Sequence, residues 1–422
     1  MIGGGTSPNH PVAAPDQRAT RAEIDLDALQ RNVELLRGEL APGTELMAVV
    51  KANAYGHGAR MVAETALAAG ASWLGVATVG EGMQLRAGGI AAPVLVLSPI
   101  SPAEAELALQ ARLDLTVATP ELLAALTDAS RCATGTVGVH IKVDTGMHRY
   151  GADPELAAAL ARQVAATPGL RLAGLMTHFA SVDDPDERFT DQQAELFRRC
   201  LGALADEGIV PERRHLANSA ATLRGTSHHA DLVRIGIALY GLRPSPTIPL
   251  PAGVRPVMTV RSTVGRVHAL GPGSIVGYGG AYRTRSAEQA VLVPIGYADG
   301  YRRGLSNRGW MMVAGQRAEV AGRVSMDQTV VRLPIESPVN IGDDVVVFGG
   351  APGSRAPSAD QLAELLGTIS YEVVSGISPR VPRHYMRGGQ ALGDDPSAST
   401  PAESGAERDH DAPAALVTRE SS

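Results

Sequence analysis

The residue best placed for covalent chemistry in this sequence is Lys51, in the segment AVVKANAYGHGA. It directly follows the apolar run from Leu46 to Val50, a pattern typical of a buried strand, so its amine is predicted to lie at the carboxyl end of that strand. Partial burial there favours the neutral amine, which is the form that makes imines. A lysine that extends from a strand end into water is the ordinary alternative.

Other polar residues follow apolar runs in the same way. Lys142 and Asp144 end GVHIKVD, His178 ends LAGLMTH, and Arg234 lies in LVRIG. If these runs are parallel strands of one barrel, their side chains gather at one mouth together with Lys51. A structural histidine and a salt bridge at the barrel rim are the ordinary alternatives for His178 and Arg234.

An anion site is predicted after the last two of these runs. Ser219 follows RHLAN, and Gly236 and Ile237 follow LVRI. Loops after the seventh and eighth strands of a barrel commonly bind phosphate through backbone N–H groups and a hydroxyl. The alternative role for Ser219 is the N-cap of a helix.

The elements that would position these residues alternate regularly along the chain. From about residue 45 to 241, Ala- and Leu-rich helical stretches separate eight short apolar runs. The runs are ELMAVVK, WLGVAT, PVLVLS, LDLTVAT, GVHIKVD, LAGLMTH, RHLANS and LVRIG. Eight such repeats predict an α/β protein with an N-terminal (β/α)8 TIM-type barrel, whose ligands lie at the carboxyl ends of the strands.

The pattern changes after about Arg255. Short β-type runs broken by glycine and proline predict a mainly antiparallel β domain. We therefore predict a disordered N-terminal tail (1–20), a barrel domain (21–253), a C-terminal β domain (254–388) and a disordered C-terminal tail (389–422). The early strand 21–27 is a candidate member of the β domain.

The composition favours an enzyme and argues against a protein that binds nucleic acids or membranes. The formal net charge of the 422 residues is −6, and no block of like charge forms a polybasic patch. Cys132 and Cys200 lie far apart without metal-ligand spacing, so no metal is expected and both are interpreted as thiols of a reducing compartment. The first residues contain no apolar segment, which predicts a cytoplasmic protein.

Nine motifs then recur in an order that resembles the alanine racemases, over roughly residues 22 to 388. They are AVVKANAYGHG, HIKVDTGMHRYG, GLMTHFA, LANSAA, LVRIGIALYG, VGYGGAYR, PIGYADGY, GRVSMDQ and SPRVPRHY. The resemblance implies pyridoxal 5′-phosphate (PLP) as cofactor, held by Lys51 as a Schiff base. It also implies two catalytic bases, Lys51 and Tyr278, on opposite faces of a planar carbanion, so that the proton returns from the side opposite to its departure.

The resemblance assigns the cofactor contacts residue by residue. Arg234 would contact the pyridine nitrogen and, because it stays protonated, make the cofactor a weaker electron sink than a carboxylate partner would. His178 would lie beside the ring. The phosphate ligands would be Tyr55, Ser219, Gly236, Ile237 and Tyr371.

The substrate contacts are implied in the same way. Arg149 and the backbone N–H of Met326 would receive the substrate carboxylate, for which the planar guanidinium fork is suited. Lys142 matches a lysine that is carbamylated in many family members and would then orient Arg149. Tyr297 and Tyr371 would narrow the access channel and favour alanine. Without the resemblance, Tyr278 would be interpreted as a packed aromatic.

The function implied is the interconversion of L- and D-alanine, with D-alanine supplied for peptidoglycan. The implied assembly is a homodimer in which Tyr278 of one subunit completes the partner's site. Two alternatives stay open: a racemase of broader amino-acid range, and a non-catalytic PLP-binding homeostasis protein. The β domain with Tyr278, Tyr297 and Met326 argues against the second, because such carriers resemble the barrel alone.

Overall fold

The computed structural model describes residues 18–131, 135–350 and 353–392. Most of both predicted tails, together with Cys132, lies outside these ranges. Within them the chain forms a parallel barrel and a large mainly antiparallel sheet, as the sequence predicts, together with a separate two-stranded hairpin. None of the helices in these ranges is both long enough and apolar enough to cross a membrane.

The barrel consists of eight parallel strands in the order β8-β7-β6-β5-β4-β3-β2-β9. The N–H groups of Asp231 and Arg234 close the ring by donating to the carbonyl oxygens of Arg214 and Ala217. The strands are β2 (Glu45–Val49), β3 (Trp73–Val76), β4 (Val94–Val96), β5 (Asp114–Val117), β6 (Val137–Lys142), β7 (Leu170–Met176), β8 (Arg214–His215) and β9 (Leu232–Ile235). All eight runs predicted as strands are therefore confirmed.

Strand β6 shows how polar groups enter this core. Every residue from Val137 to Lys142 is buried, including His140 and the terminal lysine. Helices cover the outside of a parallel barrel and side chains fill its interior, so a polar residue on such a strand has to find its partners inside the protein.

The helices begin at sequence signals that are visible locally. Before α7, the Asp153 carboxylate accepts from the N–H of Leu156 and Pro154 occupies the first turn. The helices are α1 (Leu26–Gly38), α2 (Lys51–Tyr55), α3 (Ala59–Ala68), α4 (Val79–Ala87), α5 (Ala105–Gln110), α6 (Pro120–Ser130), α7 (Pro154–Ala166), α8 (Arg188–Asp206), α9 (Ser219–Arg224), α10 (Ala359–Leu366) and α11 (Ser370–Ser375).

The second sheet has ten strands in the order β11-β14-β17-β16-β15-β18-β10-β1-β19-β20, and β12 pairs with β13 in a separate hairpin. Only β1 and β19 pair in parallel. The strands are β1 (Arg21–Asp25), β10 (Met258–Thr263), β11 (Arg266–Leu270), β12 (Ile275–Val276), β13 (Tyr282–Arg283), β14 (Glu288–Val293), β15 (Trp310–Val313), β16 (Gln316–Val320), β17 (Thr329–Pro334), β18 (Asp344–Phe348), β19 (Arg383–Arg387) and β20 (Gln390–Ala391).

Two details of the sheet concern the predicted boundaries. β1 joins this sheet between β10 and β19, which decides the question that its sequence left open. Gln390–Ala391, assigned above to the disordered tail, instead pairs with the end of β19. Gly388 and Gly389 make this hairpin feasible because both adopt a positive φ, of 57° and 75°.

Candidate active site

Lys51 directly follows the buried end of β2, where its sequence predicts it. Its side chain is half-buried, and burial together with the Arg149 guanidinium lowers the pKa of its amine, while Glu81 acts in the opposite direction. The carboxylate of Glu81 accepts hydrogen bonds from the N–H groups of Ala52 (2.6 Å) and Ala77 (2.7 Å). A substantial neutral fraction of the amine therefore becomes accessible closer to neutral pH than for an exposed lysine.

The segment α2, which begins at Lys51, is a left-handed turn and not a right-handed helix. Four consecutive non-glycine residues, Ala52 to Tyr55, have φ of 52° or 53°, a conformation that costs L-residues roughly 1–2 kcal/mol each. Contacts from outside the turn hold it. Nδ1 of His57 lies 3.0 Å from the carbonyl oxygens of Ala54 and Tyr55, and the Arg383 guanidinium donates to the carbonyl of Gly56 (2.9 Å). Among the described residues this is the longest run of non-glycine residues with positive φ, and it directly follows Lys51.

Positive charge is concentrated at this mouth of the barrel. Lys142 ends β6 beside the ring of Tyr150, 5.1 Å from its centre, and Arg149 lies in the loop that follows. Burial, then the charges of Arg234 and Arg149, lower the pKa of Lys142 to about 8. Four cationic side chains, those of Lys51, Lys142, Arg149 and Arg234, interact here, and such a potential favours ligands that carry anionic groups.

Arg234 is buried on β9, and no carboxylate of the described residues pairs with it, so the alternative of a rim salt bridge is wrong. Its Nη1 and Nη2 donate to the carbonyl oxygens of His215 (2.8 Å), Thr177 (2.7 Å) and Leu216 (2.9 Å). Two histidine nitrogens also lie within hydrogen-bond distance of these Nη groups: Nδ1 of His215 at 3.0 Å and Nδ1 of His178 at 3.2 Å. Together these five acceptors form a shell around the guanidinium.

This shell leaves Arg234 with one unused donor. Burial lowers the pKa of the guanidinium to about 9, so it remains charged at neutral pH. Its Nη groups are bonded as described, whereas Nε has no acceptor in the described part of the chain. Burial and the adjacent cations keep His178 neutral by lowering its pKa. Arg234 can therefore offer a fixed N–H to a ligand without moving.

The predicted phosphate ligands form a recess after β8 and β9. The N–H of Gly236 donates to the hydroxyl of Ser219 (2.9 Å), and a Cβ added to Gly236 would lie 2.5 Å from the hydroxyl oxygen of Tyr55. Ile237 follows in a single helical turn, and the ring of Tyr371 lies 6.0 Å from that of Tyr55. Hydroxyl and backbone donors around a position that only glycine fits suit a phosphate group, and the residues present fit PLP in this respect.

The N-cap of α9 is Asn218 and not Ser219. The Asn218 side chain accepts a hydrogen bond from the N–H of Ala221 (3.0 Å), whereas the Ser219 hydroxyl reaches across to the turn after β9. The alternative role proposed for Ser219 is therefore wrong, and its hydroxyl is available to the recess.

The remaining predicted residues lie on the β domain and face outward. The exposed fractions of Tyr278, Met326 and Tyr297 are 71%, 53% and 40%. No hydrogen bond or ring contact joins any of them to Lys51 in the described ranges. The packed-aromatic alternative for Tyr278 is also wrong, because most of its side chain is exposed.

Two β-domain loops are nevertheless joined to each other. The N–H of Tyr297 donates to the carbonyl of Ser325, and the N–H of Ala298 donates to the carbonyl of Met326, both at 3.0 Å. Asp327, which follows Met326 in the second loop, accepts a hydrogen bond from Arg380 (2.7 Å).

Sequence reasoning missed two residues of the site, Glu81 and His215. Glu81 was recognisable as the fourth residue of the capping box TVGE that starts α4. The number of lysines is also informative. Lys51 and Lys142 are the only lysines in all 422 residues, and both lie in this site. No local signal distinguishes His215, because its importance depends on Arg234 from another strand.

Comparison with known proteins places this architecture in one family. The family models "Alanine racemase, N-terminal domain" and "Alanine racemase, C-terminal domain" match residues 24–244 and 257–385. The chain belongs to the alanine racemase family. The alanine racemases of Symbiobacterium thermophilum and Desulfovibrio desulfuricans are 45% and 42% identical to it, each over 87% of this chain and 97% and 98% of their own length.

Solved alanine racemases share the fold over nearly their whole length. The Streptomyces lavendulae structure is 42% identical, with a TM-score of 0.83 over 88% of this chain and 98% of its own. The Bacillus anthracis structure, which has L-Ala-P bound, is 38% identical, with a TM-score of 0.84 over 90% and 98%. The described residues contain no group of three or more His, Cys, Asp or Glu that could hold a metal ion.

Proposed function

We propose that this alanine racemase family member interconverts L- and D-alanine with PLP bound at the barrel mouth. The observation that carries the proposal is the convergence of a half-buried amine, Lys51, with the guanidinium groups of Arg149 and Arg234 at one end of the barrel. Substrate and cofactor each bring anionic groups, which these cations complement.

Each cofactor contact has a candidate in the structure. Lys51 would hold PLP covalently, and Nε–H of Arg234 would face the ring nitrogen because its other N–H groups are already bonded. Tyr55, Ser219, Gly236, Ile237 and Tyr371 would surround the phosphate, with His178 beside the ring. When bound, PLP supplies an electron-withdrawing ring that acidifies the Cα–H of an attached amino acid.

The chain's own residues would then move the proton. Lys51 Nζ would exchange it on one face of the substrate and the Tyr278 hydroxyl on the other, which inverts the configuration at Cα. Arg149 and the N–H of Met326 would bind the substrate carboxylate, and Tyr297 with Tyr371 would limit its side chain. A carbamate on Lys142 would replace a cation beside Arg149 with an anion and so fix the direction of that guanidinium.

We further propose that the active unit is a homodimer with shared sites. Support comes from the exposure of Tyr278, Met326 and Tyr297 on the β domain, because residues that contact substrate are expected to be enclosed. A two-fold dimer would enclose both sets at once by an isologous contact. The D-alanine formed would serve peptidoglycan synthesis, and the enzyme would act in the cytoplasm.

A chirality-resolved assay of the purified, PLP-loaded protein with L-alanine tests the activity. We expect D-alanine to accumulate to an equimolar mixture, with none from Lys51→Ala protein. Serine, arginine and lysine assayed in parallel distinguish a racemase of broader range. Absence of D-alanine from cofactor-loaded protein would favour the non-catalytic PLP-binding alternative.

A further inference from the structure

A buried row of polar side chains runs through the barrel interior, away from the mouth. Nη1 of Arg234 lies 3.0 Å from Nδ1 of His215, and Nε2 of His215 lies 2.9 Å from Nδ1 of His140. Nε2 of His140 then lies 3.5 Å from Oδ2 of Asp114. Both histidines are fully buried, and Asp114 is the first residue of β5, at the opposite end of the barrel from the mouth.

The guanidinium at one end of this row and the carboxylate at the other favour one proton position on each histidine ring. A guanidinium can only donate, so the contact of Nδ1 of His215 with Arg234 favours the tautomer that carries its proton on Nε2. That Nε2–H donates to Nδ1 of His140, which places the second proton on Nε2 of His140. There it faces the carboxylate of Asp114 across 3.5 Å, which is longer than a normal hydrogen bond, so the contact favours this proton position by electrostatic attraction. The opposite pair of tautomers would set two N–H groups against each other at His215 and Arg234.

Glycines beside the row leave space for its buried side chains. A Cβ at Gly174 would lie 2.3 Å from Nδ1 of His140 and 3.0 Å from Nε2 of His215, and one at Gly138 would lie 2.3 Å from Oδ2 of Asp114. The rings of Trp73 and His140 pack nearly perpendicular to each other, with their centres 5.5 Å apart. Burial lowers the pKa of both histidines, so both imidazole rings are uncharged at neutral pH.

Asp114 also meets charged groups at the surface. Nη2 of Arg171 lies 3.5 Å from its Oδ2, and Glu212 pairs with both Arg171 and Arg213. Glu212 belongs to the same surface cluster as Asp114 but has no bond to either histidine of the row. It therefore provides a matched control.

We propose that Asp114 and His140 are positioning residues for Arg234: they hold His215 in the tautomer that accepts from Nη1, which keeps the guanidinium oriented with Nε–H free. The inference rests on the proposed function, because the value of that N–H depends on the cofactor ring it would face. Asp114 and His140 do not bind the ligands directly but act on Arg234 through the ring of His215.

The test is histidine-selective ¹⁵N NMR of the full-length protein at neutral pH, with and without PLP. Long-range ¹H–¹⁵N correlations report which ring nitrogen carries the proton, and the variants assign the signals. In the wild-type protein we expect both rings to be protonated only at Nε2. In Asp114→Asn we expect Nδ1–H signals from His140 and His215, while Glu212→Gln keeps the wild-type pattern.

A second variant, His140→Phe, tests the same inference if Asp114→Asn does not fold. His140→Phe keeps a ring in place but removes the acceptor for His215, so an Nδ1–H signal should appear at His215. For either folded variant loaded with PLP, we expect kcat to fall about tenfold with little change in KM, an effect typical of removing an outer partner of a site. The absorption maximum of the bound cofactor should shift as well.

Pure Nε2–H tautomers in every folded variant, or a loss of kcat no larger than in Glu212→Gln, would overturn the inference. The tautomers are also measured without cofactor. A wild-type protein that lacks racemase activity would therefore refute the proposed function while the histidine result still stands on its own.

Discussion

The hydroxyl oxygen of Ser219 accepts a 2.9 Å hydrogen bond from the backbone N–H of Gly236. This bond joins the start of α9 to the turn after β9, so two segments that are separate in sequence form one recess. Both groups are proposed phosphate ligands. The Ser219 hydroxyl can accept from Gly236 and still donate its own proton to an anion.

We expect Ser219→Ala to weaken PLP binding about tenfold, since a hydrogen bond to a charged group contributes roughly 1.5–3 kcal/mol. Fluorescence titration of the cofactor-free protein with PLP measures the affinity. Ser101→Ala, at an exposed cap far along the chain, is the control and should bind normally. Equal affinities for both variants would show that Ser219 does not contact the phosphate.

Lys51 and Lys142 are the only candidate lysines for the covalent link. Borohydride reduction of the PLP-loaded protein followed by peptide mass spectrometry should place the pyridoxyl label on Lys51, in the wild type and in Lys142→Met. Lys51→Ala should lose the visible absorption after gel filtration. A label on Lys142, or absorption that survives in Lys51→Ala, would contradict the assignment.

Tyr278→Phe should slow racemisation by about 10²- to 10⁴-fold, the usual loss when a positioned acid–base group is removed. PLP binding should persist because the ring remains. Tyr282→Phe, four positions along the same hairpin, is the matched control and should racemise alanine at a near-normal rate. Comparable turnover in the two variants would remove Tyr278 from the mechanism.

Subunit exchange tests the shared site. Lys51→Ala and Tyr278→Phe subunits, each inactive alone, are dissociated, mixed and reassembled. Random pairing makes about half the dimers mixed, and each mixed dimer has one intact site of two, so about a quarter of wild-type activity should return. If exchange is demonstrated with differently tagged subunits and no activity returns, both bases come from one chain.

Lys142 should make the free energy of unfolding depend on pH. Its pKa is about 8 in the folded protein, against an ordinary value of 10.5, so unfolding takes up a proton in that interval. Stability therefore rises with pH over this window. In cofactor-free protein and CO₂-free buffer, urea unfolding between pH 7.5 and 9.5 should show a steeper rise for wild type than for Lys142→Met.

Bicarbonate provides a second arm of the same experiment. A carbamate would remove the cation beside Arg149 and Arg234, so added bicarbonate should stabilise the wild type and leave Lys142→Met unchanged. Identical responses of the two proteins would argue against carbamylation of Lys142.

The sequence alone was sufficient for the barrel, the family resemblance and the position of Lys51. Each of these depends on local information: eight repeated runs of buried strand residues, and motifs whose glycines and polar residues lie within a few positions of one another. The strand that ends at Lys51 is apolar because a parallel barrel strand is covered on both faces, so the lysine stands out in the sequence itself.

Tertiary structure decided what depends on distant partners. The left-handed turn from Ala52 to Tyr55 contains no glycine and is held partly by Arg383, which lies more than 300 residues away in the chain. The parallel pairing of β1 with β19 and the contact between His140 and His215 likewise join remote segments. Propensity and periodicity act over a few residues, whereas these features exist only because folding brings particular donors to particular acceptors.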